Sequence, residues 1–157
     1  MVKANGKEVC VVAASAVLGS GFVESSFERC LTFDPHFIGC DAGTTDAGPV
    51  YLGTDKTAFP LASIKRDLKL QVLAGQKHNI PVLIGSCGTA GNDAQLKKVF
   101  GVLKEIVAEE KLSLKAALIH SEQDKDYLKK KLRDGKIHPL DNPPPYDEDV
   151  IDRSEHI

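Results

Sequence analysis

Short apolar runs of strand length recur along this chain, and each ends in a loop of glycine, hydroxyl or acidic residues. The runs are 8–14 (EVCVVAA), 37–41 (FIGCD), 81–86 (PVLIGS) and 115–120 (KAALIH). Near-continuous apolar runs of this length read as strands buried on both faces of a sheet. Between them lie stretches with helical period. Phe27 and Leu31 sit one turn apart in 24–31, and Ile64, Leu68 and Val72 form a stripe in 61–78. The clearest stripe is Leu96, Val99, Leu103, Ile106 in 94–111, and a charged helix follows over 125–133. Strands alternating with helices predict an α/β fold with a mostly parallel sheet in a three-layer α/β/α arrangement. Half of a β/α barrel shows the same alternation and is the alternative.

A parallel sheet collects its strand-end loops on one rim, where ligands sit. That rim is predicted to carry Ser15 and the glycines 19 and 21, then Asp41 with Gly43, Thr44, Thr45 and Asp46. The third loop brings Ser86, Gly88, Thr89 and Gly91, and the fourth brings His120, Ser121 and Glu122. Asp41 and Asp46 are the residue type that orients a substrate hydroxyl or holds a hard divalent cation such as magnesium or manganese. The alternative is that they only make local turn bonds. The stretch 85–91 (GSCGTAG) leads into a helix N-terminus and could cradle an anion. It matches neither the Walker loop nor GxGxxG. His120 beside Glu122 is the best proton-transfer candidate, since imidazole titrates near neutrality. Ser86 and Cys87 are weaker nucleophile candidates without the GxSxG elbow. The histidines 36, 78, 138 and 156 fall in polar connections and are expected to do no chemistry, and Lys56 and Lys65 are read as solvated.

With 157 residues, one domain with a real core is affordable, and a net charge of −2 offers no basic field for nucleic acid or membrane. No run of about 18 apolar residues is present to span a bilayer. The polar stretch 1–7 lacks the apolar segment of a signal peptide, so a cytoplasmic location is expected. The four cysteines form no CxxC pair and read as buried, reduced thiols. The loop 42–60 is long enough to be functional. Residues 1–140 are read as an α/β ligand-binding domain. Residues 141–157 are read as a proline-rich linker and the start of a further helix that stops mid-pattern. The exposed sheet edge calls for a cover, either a homodimer or a complementing chain.

Several stretches taken together are not generic: 40–49 (CDAGTTDAGP), 51–53 (YLG), 65–68 (KRDL), 84–86 (IGS), 88–91 (GTAG) and 120–122 (HSE). In this order, over nearly the whole chain, they resemble the N-terminal part of the acyclic terpene utilisation protein A family. The resemblance implies a cytosolic catabolic protein encoded beside enzymes that process acyl-coenzyme A thioesters and branched acids. It implies no assigned reaction and no set of catalytic residues. Members are much longer, so a truncated, split or naturally short version is expected.

The expectation is therefore an enzyme, or its N-terminal half, of lyase or hydratase type. Its substrate would be a small carboxylated or acyl-thioester metabolite. His120 would move the proton, with Glu122 beside it and Asp41 orienting the substrate or a metal. Gly43, Thr44, Thr45, Asp46, Ser86, Gly88, Thr89 and Gly91 would hold the small anionic metabolite. A non-catalytic anion- or phosphate-binding module, or an assembly fragment needing a partner chain, are the rivals.

Overall fold

A computed structural model of the chain describes residues 8–44, 49–138 and 146–157. Three strands, β1 (Val11–Ala13), β2 (Phe37–Asp41) and β3 (Val82–Gly85), form one sheet in the order β1-β2-β3. Both pairings are parallel, with Val12 opposite Ile38 and Cys40 opposite Ile84. The α/β class and the parallel sheet thus hold.

The helices are α1 (Glu24–Leu31), α2 (Val50–Thr54), α3 (Leu61–His78), α4 (Asp93–Glu109), α5 (Lys125–Arg133) and α6 (Glu148–Arg153). α2 lies within the long loop that sequence alone left without structure. Asn92 caps α4 by accepting from the Gln95 N–H at 2.8 Å. α3 stops where Asn79 turns left-handed, and the Ile80 N–H returns to the Gly75 carbonyl.

The core sits on one side of the sheet. Ile38 and Cys40 share a face of β2. Ile38 packs with Val12, Phe27, Leu31 and Ala74, while Cys40 packs with α3 and α4 through Leu68, Val72, Val99 and Ile106. On the opposite face Val11 is 44% and Leu83 54% exposed. Among the described residues the core-forming helices therefore cover one face. The sequential strand order fits this, because successive crossovers in one direction keep their helices together.

The fourth strand is a correction. Residues 115–120 form no strand and join no ladder. An apolar run shows that a strand is affordable, but pairing requires a partner edge that the run itself does not specify.

α3 carries polar residues on its buried stripe. Asp67 and Gln71 are both fully buried, one turn apart. Asp67 Oδ2 accepts the Gly19 and Gly21 N–H groups, each at 2.9 Å, and Oδ1 accepts from Arg66 at 2.7 Å. Among the described residues the Gln71 amide makes no hydrogen bond. Around the helix exterior, Lys65 bonds Glu105 and Glu109 of α4, so it is engaged away from any strand-end ligand.

Residues 146–157 fold back onto the body. Arg133 holds Glu148 with two bonds of 2.6 and 2.7 Å, Lys129 pairs with Asp152, and Ile151 is fully buried.

Candidate functional site

Beyond the carboxyl ends of β2 and β3 lies a cavity of about 590 Å³. β2 and its loop contribute Asp41, Gly43 and Thr44; the loop after β3 contributes Ser86, Thr89 and Ala90; Pro49 and α2 close the side with Tyr51 and Leu52. Asp41 is exposed at the strand end, and its Oδ1 accepts the Gly43 N–H at 2.8 Å. No basic side chain lines the cavity among the described residues.

The two loops meet closely. A Cβ on Gly43 would stand 2.6 Å from the Ser86 Cβ and 2.9 Å from its hydroxyl. Glycine is what permits this approach. Ser86 and Thr89 have positive φ, 46° and 99°. For a β-branched residue such as Thr89 that conformation is strained. Strain of this kind persists only where surrounding bonds over-determine it. Thr89 is held at both ends, its N–H on the Ser86 carbonyl and its hydroxyl accepting the Ala58 N–H at 2.8 Å. Ser86 lines the cavity, and among the described residues its hydroxyl makes no hydrogen bond.

Gln95 fixes the walls relative to each other. Fully buried at the first turn of α4, it donates to the Tyr51 and Lys56 carbonyls at 2.8 and 3.1 Å. Its Oε1 accepts the Ala90 N–H at 2.7 Å. A Cβ on Gly88 would stand 2.5 Å from the Gln95 Cβ, so the loop lies directly on this residue. Gln95 was not singled out in the sequence. The available signal was a polar residue in register with the apolar stripe Val99, Val102 and Ile106.

The anion cradle expected over 85–91 spends two of its donors internally, and the helix terminus behind it spends another. Thr89 N–H goes to Ser86, Ala90 N–H to Gln95, and the Asp93 N–H at the α4 terminus to Glu122 Oε1 at 3.0 Å. Neither Cys87 nor Gly88 lines the cavity. Burial pushes the Cys87 thiol up, with Cys40 adding to the effect, which keeps it a poor nucleophile. All four cysteines are free, but Cys30 is exposed and only Cys40 is fully buried.

His120 and Glu122 stand elsewhere. His120 Nδ1 lies 2.8 Å from Asp93 Oδ1, with the imidazole half-exposed, and neither residue lines the cavity. Ser121 donates to the Gly91 carbonyl at 2.7 Å, so Gly91 serves this corner rather than the cavity lining. Glu122 bonds His156 Nδ1 at 3.0 Å, and His156 Nε2 reaches Asp55 Oδ2 at 3.1 Å. Asn92 donates to the other Asp55 oxygen at 2.6 Å and holds that carboxyl below its usual range, with His156 contributing. Burial pulls the His156 imidazolium down, but Glu122 and Asp55 outweigh it and the net direction is upward. His156, set aside in the sequence as doing nothing chemical, is thus clasped between two carboxylates.

Thr45 and Asp46 lie outside the described residues. No group of three or more histidine, cysteine or acidic side chains suited to a metal ion occurs among the described residues. No described helix is long and apolar enough to cross a membrane. No protein-family model, curated protein or solved structure matches the chain.

Proposed function

We propose that this chain binds a small hydroxylated carboxylate or acyl-thioester metabolite at the β2–β3 strand ends, within a protein of lyase or hydratase type. The observation that carries this reading is the convergence of Asp41, Thr44 and Ser86 on one cavity whose walls are held by Gln95. Asp41 accepts a ligand hydroxyl, and Ser86 supplies a hydroxyl of its own to a carboxylate or thioester oxygen. With no basic side chain in the described lining, a multiply charged phosphate is the poorer fit. The resemblance to the acyclic terpene utilisation protein A family, and with it a catabolic and cytoplasmic role, belongs to the same proposal.

One observation favours a second reading, binding without turnover. The expected proton donor His120 stands beside Asp93, 2.8 Å from its carboxylate, and lines no part of the cavity. Catalysis here would rest on Asp41 alone or on groups added by a partner. A three-layer arrangement would likewise need helices from outside the described residues, over the face that carries Val11 and Leu83.

The test is a thermal melt against hydroxy acids and coenzyme A thioesters. A ligand at 100 times its dissociation constant stabilises by about 2.7 kcal/mol. Asp41→Asn and Ser86→Ala should abolish the shift while His120→Ala keeps it. A shift that survives both cavity substitutions rejects the site. Product detected by mass spectrometry, lost in Asp41→Asn, selects the enzyme over the binder.

A further inference from the structure

α2 forms one wall of the cavity yet has no apolar hold on the body. Tyr51 and Leu52 line the cavity, but none of the five side chains of α2 is buried and none joins either core cluster. Among the described residues, the hydrogen bonds that tie 50–56 to the rest of the fold come from two places. The first half of α4, with its cap, supplies Gln95 to the Tyr51 and Lys56 carbonyls, Asn92 to the Asp55 carboxylate, and Lys98 to the Asp55 carbonyl at 2.7 Å. The other place is His156, whose Nε2 lies 3.1 Å from the second oxygen of the Asp55 carboxylate.

His156 is anchored without help from α2. The Gln123 N–H donates to the Ile157 backbone oxygen at 2.7 Å, and Ile151 of α6 is fully buried. His156 Nδ1 lies 3.0 Å from Glu122 Oε1, an oxygen that also takes the Asp93 N–H. Both ring nitrogens therefore face carboxylate oxygens, which only accept. A neutral imidazole has one N–H and can satisfy one of them, whereas the imidazolium satisfies both. The charged groups around the ring are Asp55 from α2 and Glu122 from the stretch after α4. Further out stand Lys98 on the Asp55 carbonyl, Asp93 beside His120, and Lys125 of α5 on the Asp152 carbonyl. The Asn92 and Gln95 amides have no proton to lose near neutrality, so His156 is the tie that pH can cut.

We propose that doubly protonated His156 is a latch that fastens the cavity wall α2 to Glu122, and that loss of one proton releases this wall. Whichever nitrogen is left bare, one carboxylate then faces a lone pair and the bridge is broken. The upward pull of Glu122 and Asp55 on the imidazolium acts in the same sense, keeping the latch shut on the acid side. The consequence for binding rests on the reading of the cavity as a ligand site: a ligand there is held more tightly below the folded titration point of His156 than above it. The latch itself does not depend on that reading.

The test is hydrogen exchange read by mass spectrometry on the 157-residue chain without any ligand. Failure of the latch therefore shows here, and failure of the ligand reading shows only in the melt above. Exchange over 50–57, corrected for its intrinsic pH dependence, is compared between wild type and His156→Gln, with α3 as the internal reference. At mildly acidic pH the wild type should exchange at least about threefold more slowly over 50–57, the scale of a partly exposed ion pair. At mildly alkaline pH the two proteins should coincide, and α3 should be alike in both throughout. Equal rates at both pH values overturn the proposal, since His156 then does not hold α2. A difference of the same size at both also overturns it, because the contact would not depend on the proton. If circular dichroism shows that His156→Gln loses its fold, the wild type decides alone. Its protection over 50–57 must then drop relative to α3 from acid to alkaline pH, and a constant ratio overturns the latch.

Discussion

Two glycine-rich loops follow strands of this sheet, and they have opposite fates. The loop after β1 carries Ser15, Gly19, Ser20 and Gly21; the loop after β3 carries Ser86, Gly88, Thr89 and Gly91. The first is closed on Asp67, which takes two of its N–H groups, and none of its residues lines the cavity. The second is fixed from behind by Gln95 and keeps the Ser86 hydroxyl at a cavity. The composition of a strand-end loop therefore does not say whether it binds anything. What decides is where the buried polar side chain of a neighbouring helix attaches.

Removing the attachments should separate the two loops. Asp67→Ala strips the acceptor from the Gly19 and Gly21 N–H groups and one partner from Arg66. At about 1–3 kcal/mol for each buried group left unsatisfied, a loss of roughly 3 kcal/mol is expected in urea unfolding. Ligand-induced shifts should persist in whatever remains folded. A loss below about 1 kcal/mol would mean water replaces the carboxylate and the loop is not closed in this way.

Gln95→Met preserves side-chain volume but releases the Tyr51, Lys56 and Ala90 backbone groups. A smaller loss, about 1–2 kcal/mol, is expected because these groups lie nearer to solvent. Ligand binding should fall with it. Full stability alongside full binding would show that the cavity walls stand without Gln95, and the contrast between the loops would collapse.

The smallest effect belongs to pH. The His156 imidazole gains partners on folding and its folded value is raised above 6.5. Its contribution is therefore fully present below 6.5 and declines as pH rises through the folded value. Asp55 works in the other direction, contributing above 3.8 and losing its share as pH falls through its lowered folded value. The clasp is strongest between the two. The difference in urea midpoint between wild type and His156→Gln should narrow from mildly acidic to mildly alkaline pH. A difference that widens instead would mean the imidazole is neutral between the two carboxylates.

Where local pattern decides, the sequence was readable. α1 and α3 occupy 24–31 and 61–78, as their apolar stripes predict, and the charged α5 occupies 125–133, just ahead of Gly135. Asp41, Gly43, Thr44, Ser86 and Thr89 do share one cavity, because parallel strands deliver their ends to one side. What the sequence concealed is non-local. Residues 115–120 have strand composition but no neighbour, and His120 went with them to the α4 terminus instead of the cavity. Asp67 and Gln95 were visible only as polar interruptions of buried stripes, a signal that shows something is bonded without showing what. His156 gave less still, since its partners stand 34 and 101 positions away.

The sequential order β1-β2-β3 also has a consequence for how the molecule comes into being. Each strand docks against the one made just before it, and the helix between them closes over the pair. During synthesis the sheet can extend by one strand at a time as the chain emerges, with no edge held open for a later insertion. The bond from His156 to Asp55 joins positions 101 apart and must wait for nearly all of the chain.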